Sequence, residues 1–444
     1  MRIRPVVTAE WMAAGLMLVL LLGGCAPHKI YRADLELCES PVPVQECRDN
    51  ALQAYADPDH PDKDYLLGFI EFDDQGQLFD RQQMKAVLTA LNEQAALQDL
   101  LIIVFVHGWK HSAAPGDENI QMFRDMLIHT GELESAINRQ LDAPPRKIVG
   151  VYLGWRGASI TVPVIKELTF WERKNTAHKV GNGGVTEVLN RLDLLRRTRN
   201  SLYPDQPGRT RLVVVGHSFG GAVVYSALHQ ILNDRFIRTK GPDGQVSDVR
   251  GFGDIVVLLN PAFEAIRFTP LSDMSTERGH YFPSQLPVLA ILTSEADWAT
   301  RIAFPLGRHF STMFENERDI KRRNAVTRTE EIVSEADANV TAIGHFEPYR
   351  THFLRPSAAD SSSNTTTLLS NLQLFATIRN GWLTDHPGSQ INFGSTLLQR
   401  TRDSAGRNPY LLIKVDKNLI PNHNDIDDPR IADFVRHLIL ISSH

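Results

Sequence analysis

Apolar residues in this chain fall into two alternating kinds of block. Near-continuous runs occupy 65–72, 100–106, 148–153, 212–215, 255–259, 288–292 and 410–415. Runs of that length without polar alternation predict strands covered on both faces, as in a parallel sheet. Between them, apolar residues recur at three- and four-residue spacing: Met84, Val87, Leu88 and Leu91; Ile120, Phe123, Met126 and Leu127; Val185, Val188, Leu189 and Leu192. Each set lines one face of a helix. The alternation predicts one α/β domain over 64–444, with a mostly parallel central sheet and helices on both faces. Two connections are too long for simple crossovers. Residues 155–184 carry apolar side chains with no strand partner in view and form a candidate lid. Residues 298–408 are a long insertion before the last strand, and its polar tract at 357–367 reads as a mobile loop.

Composition narrows the class. Of 444 residues, 42% are hydrophobic and 22% charged, which excludes collagenous, coiled-coil and wholly disordered chains. Lys+Arg 47 against Asp+Glu 52 leaves a net charge of −5, so nothing marks a polyanion-binding surface and nucleic acid is not an expected partner.

At the N-terminus, Arg2 and Arg4 precede the apolar stretch 12–22, which suits a signal-peptide core and is shorter than the roughly 20 residues needed to span a bilayer. It ends in Leu22-Gly23-Gly24-Cys25-Ala26, which resembles the bacterial lipoprotein cleavage box. That resemblance implies loss of 1–24 and lipidation of Cys25 as the new N-terminus. Ala26, where an aspartate would retain an enteric lipoprotein at the inner membrane, implies the outer membrane, facing the periplasm. Glu10 departs from a basic leader, and an ordinary secretory signal with an incidental Cys is the alternative. Cys38 and Cys47 are the other two of the three cysteines. In an exported protein they are expected to pair, within a tether or cap spanning 25–63; two free thiols are the alternative. Neither sits in a metal-ligand or redox spacing.

The chemistry centres on Gly216-His217-Ser218-Phe219-Gly220, which follows one apolar run and opens a helical pattern. A bare G-x-S-x-G is weak, but between a strand and a helix it places a serine hydroxyl on a sharp turn, clear of the sheet. Val106-His107-Gly108-Trp109 ends an earlier run. The N–H groups of Phe219 and Trp109 are the expected pair of oxyanion donors. His107 and His217 read equally well as packed, hydrogen-bonded rings.

Strand–His-Gly, then strand–GHSFG–helix, then acid, then histidine resembles the α/β-hydrolase superfamily in its serine esterase and lipase branch. The resemblance implies an α/β-hydrolase fold and the order nucleophile, acid, histidine. It makes Ser218 the nucleophile and Asp297, after the run 288–292, the acid. Glu295 is the second candidate, and Glu264 lies far along after the preceding strand. His423 is the base, between the last strand and a closing helix capped by Asp428 and Pro429, whose stripe is Ile431, Phe434, Val435 and Leu438. His345 and His352, in the insertion, are rivals with no strong strand before them. Asp425, Asp427 and Asp428 lack the pattern of a calcium loop. The implied activity is hydrolysis of a small-molecule or lipid ester through an acyl-enzyme, with no metal or organic cofactor, at a membrane reached through the lipid anchor. Thioester or amide cleavage on the same fold stays open. The alternative from another class is a catalytically retired hydrolase-fold lipoprotein that binds an envelope partner.

Overall fold

The structure is a computed structural model and describes residues 27–140, 142–158, 170–204, 209–241, 244–305, 308, 316–357 and 368–443. Cys25, most of the polar tract 357–367 and residues 159–169 of the candidate lid lie outside the described residues.

Along the chain run β1 (Asp34–Glu39), β2 (Asn50–Tyr55), β3 (Tyr65–Phe72), α1 (Arg81–Leu97), β4 (Leu100–Val106), α2 (Glu118–Gln140) and β5 (Lys147–Trp155). Then follow α3 (Phe170–Val180), α4 (Thr186–Leu202), β6 (Arg211–His217), α5 (Phe219–Ile237), β7 (Ile255–Leu259), α6 (Thr269–Arg278) and β8 (Leu289–Ser294). The chain ends with β9 (His352–Pro356), α7 (Leu368–Leu383), β10 (Gln390–Asn392), β11 (Thr396–Arg400), β12 (Tyr410–Val415) and α8 (Pro429–Ser443). These strands form one 12-stranded sheet in the order β1-β2-β3-β5-β4-β6-β7-β8-β12-β9-β11-β10. From β3 to β9 every neighbouring pair is parallel.

The apolar runs became these central strands because helices cover both of their faces. Every residue of β3, β4, β7 and β8 is buried. One core layer joins alternate strand residues such as Ile102, Val104 and Val214 to α1, α4 and α5. The other joins Ile103, Phe105 and Val215 to α2, α7 and α8. Parallel strands with helices on both faces, reversing direction of growth at β4 and β5, give the expected α/β-hydrolase arrangement. The C-terminal strand ends therefore share one edge, where loops can bring distant side chains together.

Two segments contribute strands that the apolar runs did not announce. Residues 25–63 are not merely a tether: β1 and β2 extend the sheet beyond β3, with β2 antiparallel to it. The cause includes a buried carboxylate. Glu71 in β3 accepts backbone N–H bonds from Tyr31 and Arg32 at 2.8–3.1 Å, and the Arg32 guanidinium lies 4.4 Å from the Phe69 ring centre. Burial raises the Glu71 pKa, and those donors oppose the rise. The insertion 298–408 is also structured, since β9, β10 and β11 come from it and continue the sheet past β12. His352 opens one of these strands, with no strand immediately before it, as the sequence suggested.

Cys38 and Cys47 form a disulfide across β1 and the turn before β2, with Cα atoms 5.7 Å apart. Closing a loop this short stabilises by about 2.5 kcal/mol through restriction of the unfolded chain. Reduction, or Cys38→Ser with Cys47→Ser, should lower the unfolding free energy by about that amount in urea. An unchanged midpoint would show that the bridge contributes nothing to the fold.

Candidate active site

Ser218 occupies the turn between β6 and α5 with φ 55° and ψ −120°, a region that side-chain-bearing residues rarely adopt. Its N–H donates to the Leu259 carbonyl at 2.9 Å, and its own carbonyl accepts from Gly221 and Ala262 at 3.0 and 3.1 Å. Glycine at 220 is a steric necessity, because a Cβ there would lie 2.0 Å from the Val106 carbonyl oxygen. The turn therefore presses α5 against the end of β4, where Gly108 packs directly on Ser218.

The predicted acid and base converge on this serine. His423 Nε2 lies 2.7 Å from Ser218 Oγ. Its Nδ1 lies 2.9 Å from Asp297 Oδ1, a short contact that the carboxylate makes obliquely to the ring N–H. Asp297 is fully buried. Burial pushes its pKa up, but hydrogen bonds from His423 and Thr300 outweigh this and hold it below the usual carboxylate value. Elsewhere, Glu295 is half-exposed beside Lys414, 3.4 Å away. Glu264 is buried among Lys174, Arg267 and Arg308. Neither approaches His423. Asp428 caps α8 as expected, accepting the Arg430 N–H at 2.8 Å.

On the other side of Ser218 stand the expected oxyanion donors. Phe219 is the first residue of α5, so its N–H has no acceptor within the helix. Trp109 follows Gly108, in a loop tied to Gly157 by Lys110 N–H at 3.1 Å and the return bond to His111 at 3.0 Å. Phe170, at the start of α3, touches both: its ring centre is 5.3 Å from that of Trp109 and 4.8 Å from that of Phe219. One residue of the candidate lid connection therefore packs on the side chains of both donor residues.

Several side chains that complete the site carry no motif. The His423 carbonyl accepts from Asn260 Nδ2 at 2.8 Å and from His217 Nε2 at 3.2 Å, which anchors the base by its backbone. Asn260 also accepts the Ser294 N–H at 2.9 Å, and Ser294 Oγ donates to the Ile420 carbonyl at 2.5 Å. Thr300 donates its N–H to Asp297 Oδ1 at 3.1 Å and its hydroxyl to Oδ2. With that proton committed, the Thr300 oxygen accepts from His345 Nε2 at 2.9 Å. His345, weighed as a rival base, stands behind the acid. It can do so because Gly344 crosses Thr293 so closely that a Cβ would fall 1.7 Å from the threonine oxygen. His352 is buried against Thr351, its Nδ1 2.8 Å from the threonine hydroxyl. His107 clamps two strand ends: its Nε2 accepts the Trp155 N–H, its carbonyl accepts the Trp155 indole N–H, both at 3.0 Å, and the two rings stack.

No protein-family profile and no curated protein matches this chain. Among solved structures, a Trichoderma reesei cutinase in complex with a C11Y4 phosphonate inhibitor is similar at 12% identity and a TM-score of 0.16, over 41% of this chain and 66% of the cutinase. The chain thus spans just under two thirds of the cutinase's length, and at that score nothing about the site is taken from it.

Burial lowers the pKa of His107 to about 4, of His217 to about 3 and of His345 to about 4. In the unfolded chain each titrates near 6.5, so between that value and about 4 the unfolded state binds more protons. Their contribution is complete above about pH 6.5 and is lost as pH falls toward 4, at up to about 1.4 kcal/mol per unit for each ring. The thermal midpoint should fall steeply over that window. A midpoint that stayed level from pH 6.5 to 4 would contradict the neutral, buried rings.

Proposed function

We propose that this protein is a serine hydrolase that cleaves carboxylic esters through an acyl-enzyme. The observation that carries the reading is the convergence of Ser218, Asp297 and His423 from three separate strand ends, at 2.7 and 2.9 Å through one imidazole. His423 Nε2 takes the Ser218 proton as Oγ attacks the acyl carbonyl, and Asp297 holds the ring and stabilises its cation. The tetrahedral oxyanion rests on the N–H groups of Phe219 and Trp109, which are fixed before the charge develops and so need no reorganisation. Proton return from His423 releases the alcohol. Water, activated by the same ring, then attacks the acyl-enzyme and regenerates Ser218. The aromatic cluster of Phe170, Trp109 and Phe219 beside Ser218 supports an apolar acyl group. The chain sequence around Cys25 supports a lipid anchor that holds the enzyme in the bacterial envelope, at the outer membrane facing the periplasm. A retired binding protein is disfavoured, because the nucleophile, base, acid and both donor positions are all retained.

Ser218→Ala and His423→Ala should each lower kcat by about 10⁴-fold on a p-nitrophenyl ester, comparably because the triad acts as a unit. A fluorophosphonate should label the native chain and not Ser218→Ala. A folded His423→Ala variant that keeps most activity would refute the assignment of the base.

Thr300→Val keeps the size of the side chain and removes the hydroxyl that orients Asp297. It should lower kcat by roughly tenfold to a hundredfold with KM unchanged, the effect of misplacing a group by a fraction of an ångström. An unchanged kcat would mean that the backbone N–H of residue 300 alone suffices.

For the anchor, Cys25→Ser should leave unprocessed or mislocalised protein. Native protein recovered soluble from the periplasm without acyl mass would exclude lipidation.

A further inference from the structure

A cavity of about 660 Å³ lies on the opposite side of the sheet from α5, between α2 and α8. Its floor is the sheet itself, where the buried side chains of Phe105, Val215 and Leu259 line the cavity. Its walls are Met122 and Met126 of α2 and Val435 of α8, with Ile426 closing one end. Helix α7 packs against both α2 and α8 farther along and holds them as the sides of a cleft. The volume falls within the range of small-molecule sites, and methionine walls adapt to flexible aliphatic ligands.

Carboxylates predominate among the charged residues that line this apolar cleft. Glu118, Asp125, Asp427 and Asp433 all line it. Of the two basic groups there, Arg436 is bound to Asp433, and His129 lies 3.0 Å from Glu132. Among the described residues, Glu118 and Asp427 have no ion-pair partner and both are exposed. A ligand that buries its body in the floor must therefore present its head to carboxylates.

The cleft also adjoins the base. Val215 and His217 point to the same face of β6, two residues and about 7 Å apart. His217 donates to the His423 carbonyl, and Ile426 and Asp427 belong to the loop that carries His423.

We infer that the α2–α8 cleft is a second ligand site, which takes a small amphiphile with an aliphatic body and a cationic head group, and that its occupant bears on the His423 loop. The binding stands on the cleft alone; the effect on turnover rests on the ester hydrolase reading.

Titration calorimetry of the full chain at low ionic strength tests the site, with dodecyltrimethylammonium and dodecyl sulfate as probes, each below its micelle concentration. The cationic probe should bind saturably, one to one, and at least about tenfold more tightly than the anionic one, the ratio expected from two or more nearby carboxylates. Glu118→Gln with Asp427→Asn should remove most of that preference. Met122→Trp, which fills the cleft from its wall, should abolish binding while the protein still reacts with fluorophosphonate. Saturating cationic probe should change kcat on a p-nitrophenyl ester in the native chain and not in Met122→Trp. Equal binding of the two probes, or binding indifferent to both variants, would overturn the proposal. So would a dimer that Met122→Trp dissociates, since a second copy would then be the occupant. Absence of ester turnover alongside intact, variant-sensitive binding would refute the proposed activity and leave the site standing.

Discussion

The backbone of Ser218 is held where a side-chain-bearing residue costs about 1–3 kcal/mol, and the rest of the site is arranged around keeping it there. The Leu259 carbonyl fixes its N–H, and the Gly221 and Ala262 N–H groups fix its carbonyl. The strain is sustainable because α5, which begins at Phe219, is buried along its first turns against β4 and β6. One torsion therefore determines three things: the hydroxyl stands clear of the sheet, the Phe219 N–H opens the helix without an acceptor inside it, and the end of β4 packs alongside.

His423 is positioned by its main chain as much as by its ring. A single acceptor, the His423 carbonyl, gathers donors from Asn260 and His217, while Ser294 secures the same loop at Ile420. These donors sit on the ends of β6, β7 and β8, so the loop inherits the rigidity of the sheet. His217 serves this role as a neutral ring, its proton on Nε2. Full burial makes a cationic ring at that depth costly, which keeps a second positive charge away from the imidazolium that the proposed mechanism forms on His423.

Behind the acid, the chain uses its long insertion structurally. Thr300 supplies two hydrogen bonds to Asp297, and His345 steadies Thr300 from a segment that has already crossed over β8 at Gly344. The same insertion returns as β9 to flank β12, the strand that leads to His423. Acid and base are thus braced by one excursion of the chain, although neither belongs to it.

What could be read from the residues alone was whatever repeats locally. Continuous apolar runs mark strands buried on both faces, three- and four-residue stripes mark the helices over them, and a G-x-S-x-G between the two marks the turn. These signals arise from burial and backbone geometry within a few residues, so the Ser218 turn was legible in the chain itself, whereas Asp297 and His423 were expected from the resemblance to the α/β-hydrolase order and from their place after strands. The edges of the sheet were not. β1, at the margin that faces water, is short and rich in polar side chains, and it is held by a disulfide to the turn before β2 and, through Tyr31 and Arg32 just ahead of it, by the carboxylate of Glu71 in β3. β9 begins at His352 with no apolar run to announce it. Asn260, Thr300, His345 and the α2–α8 cleft had no local signature at all. Each depends on a single polar group, or a gap, meeting a partner far away in sequence: Asn260 reaches His423 across 163 residues. Such contacts are selected by how closely packed elements leave room for a donor beside an acceptor, and only the tertiary structure decides that.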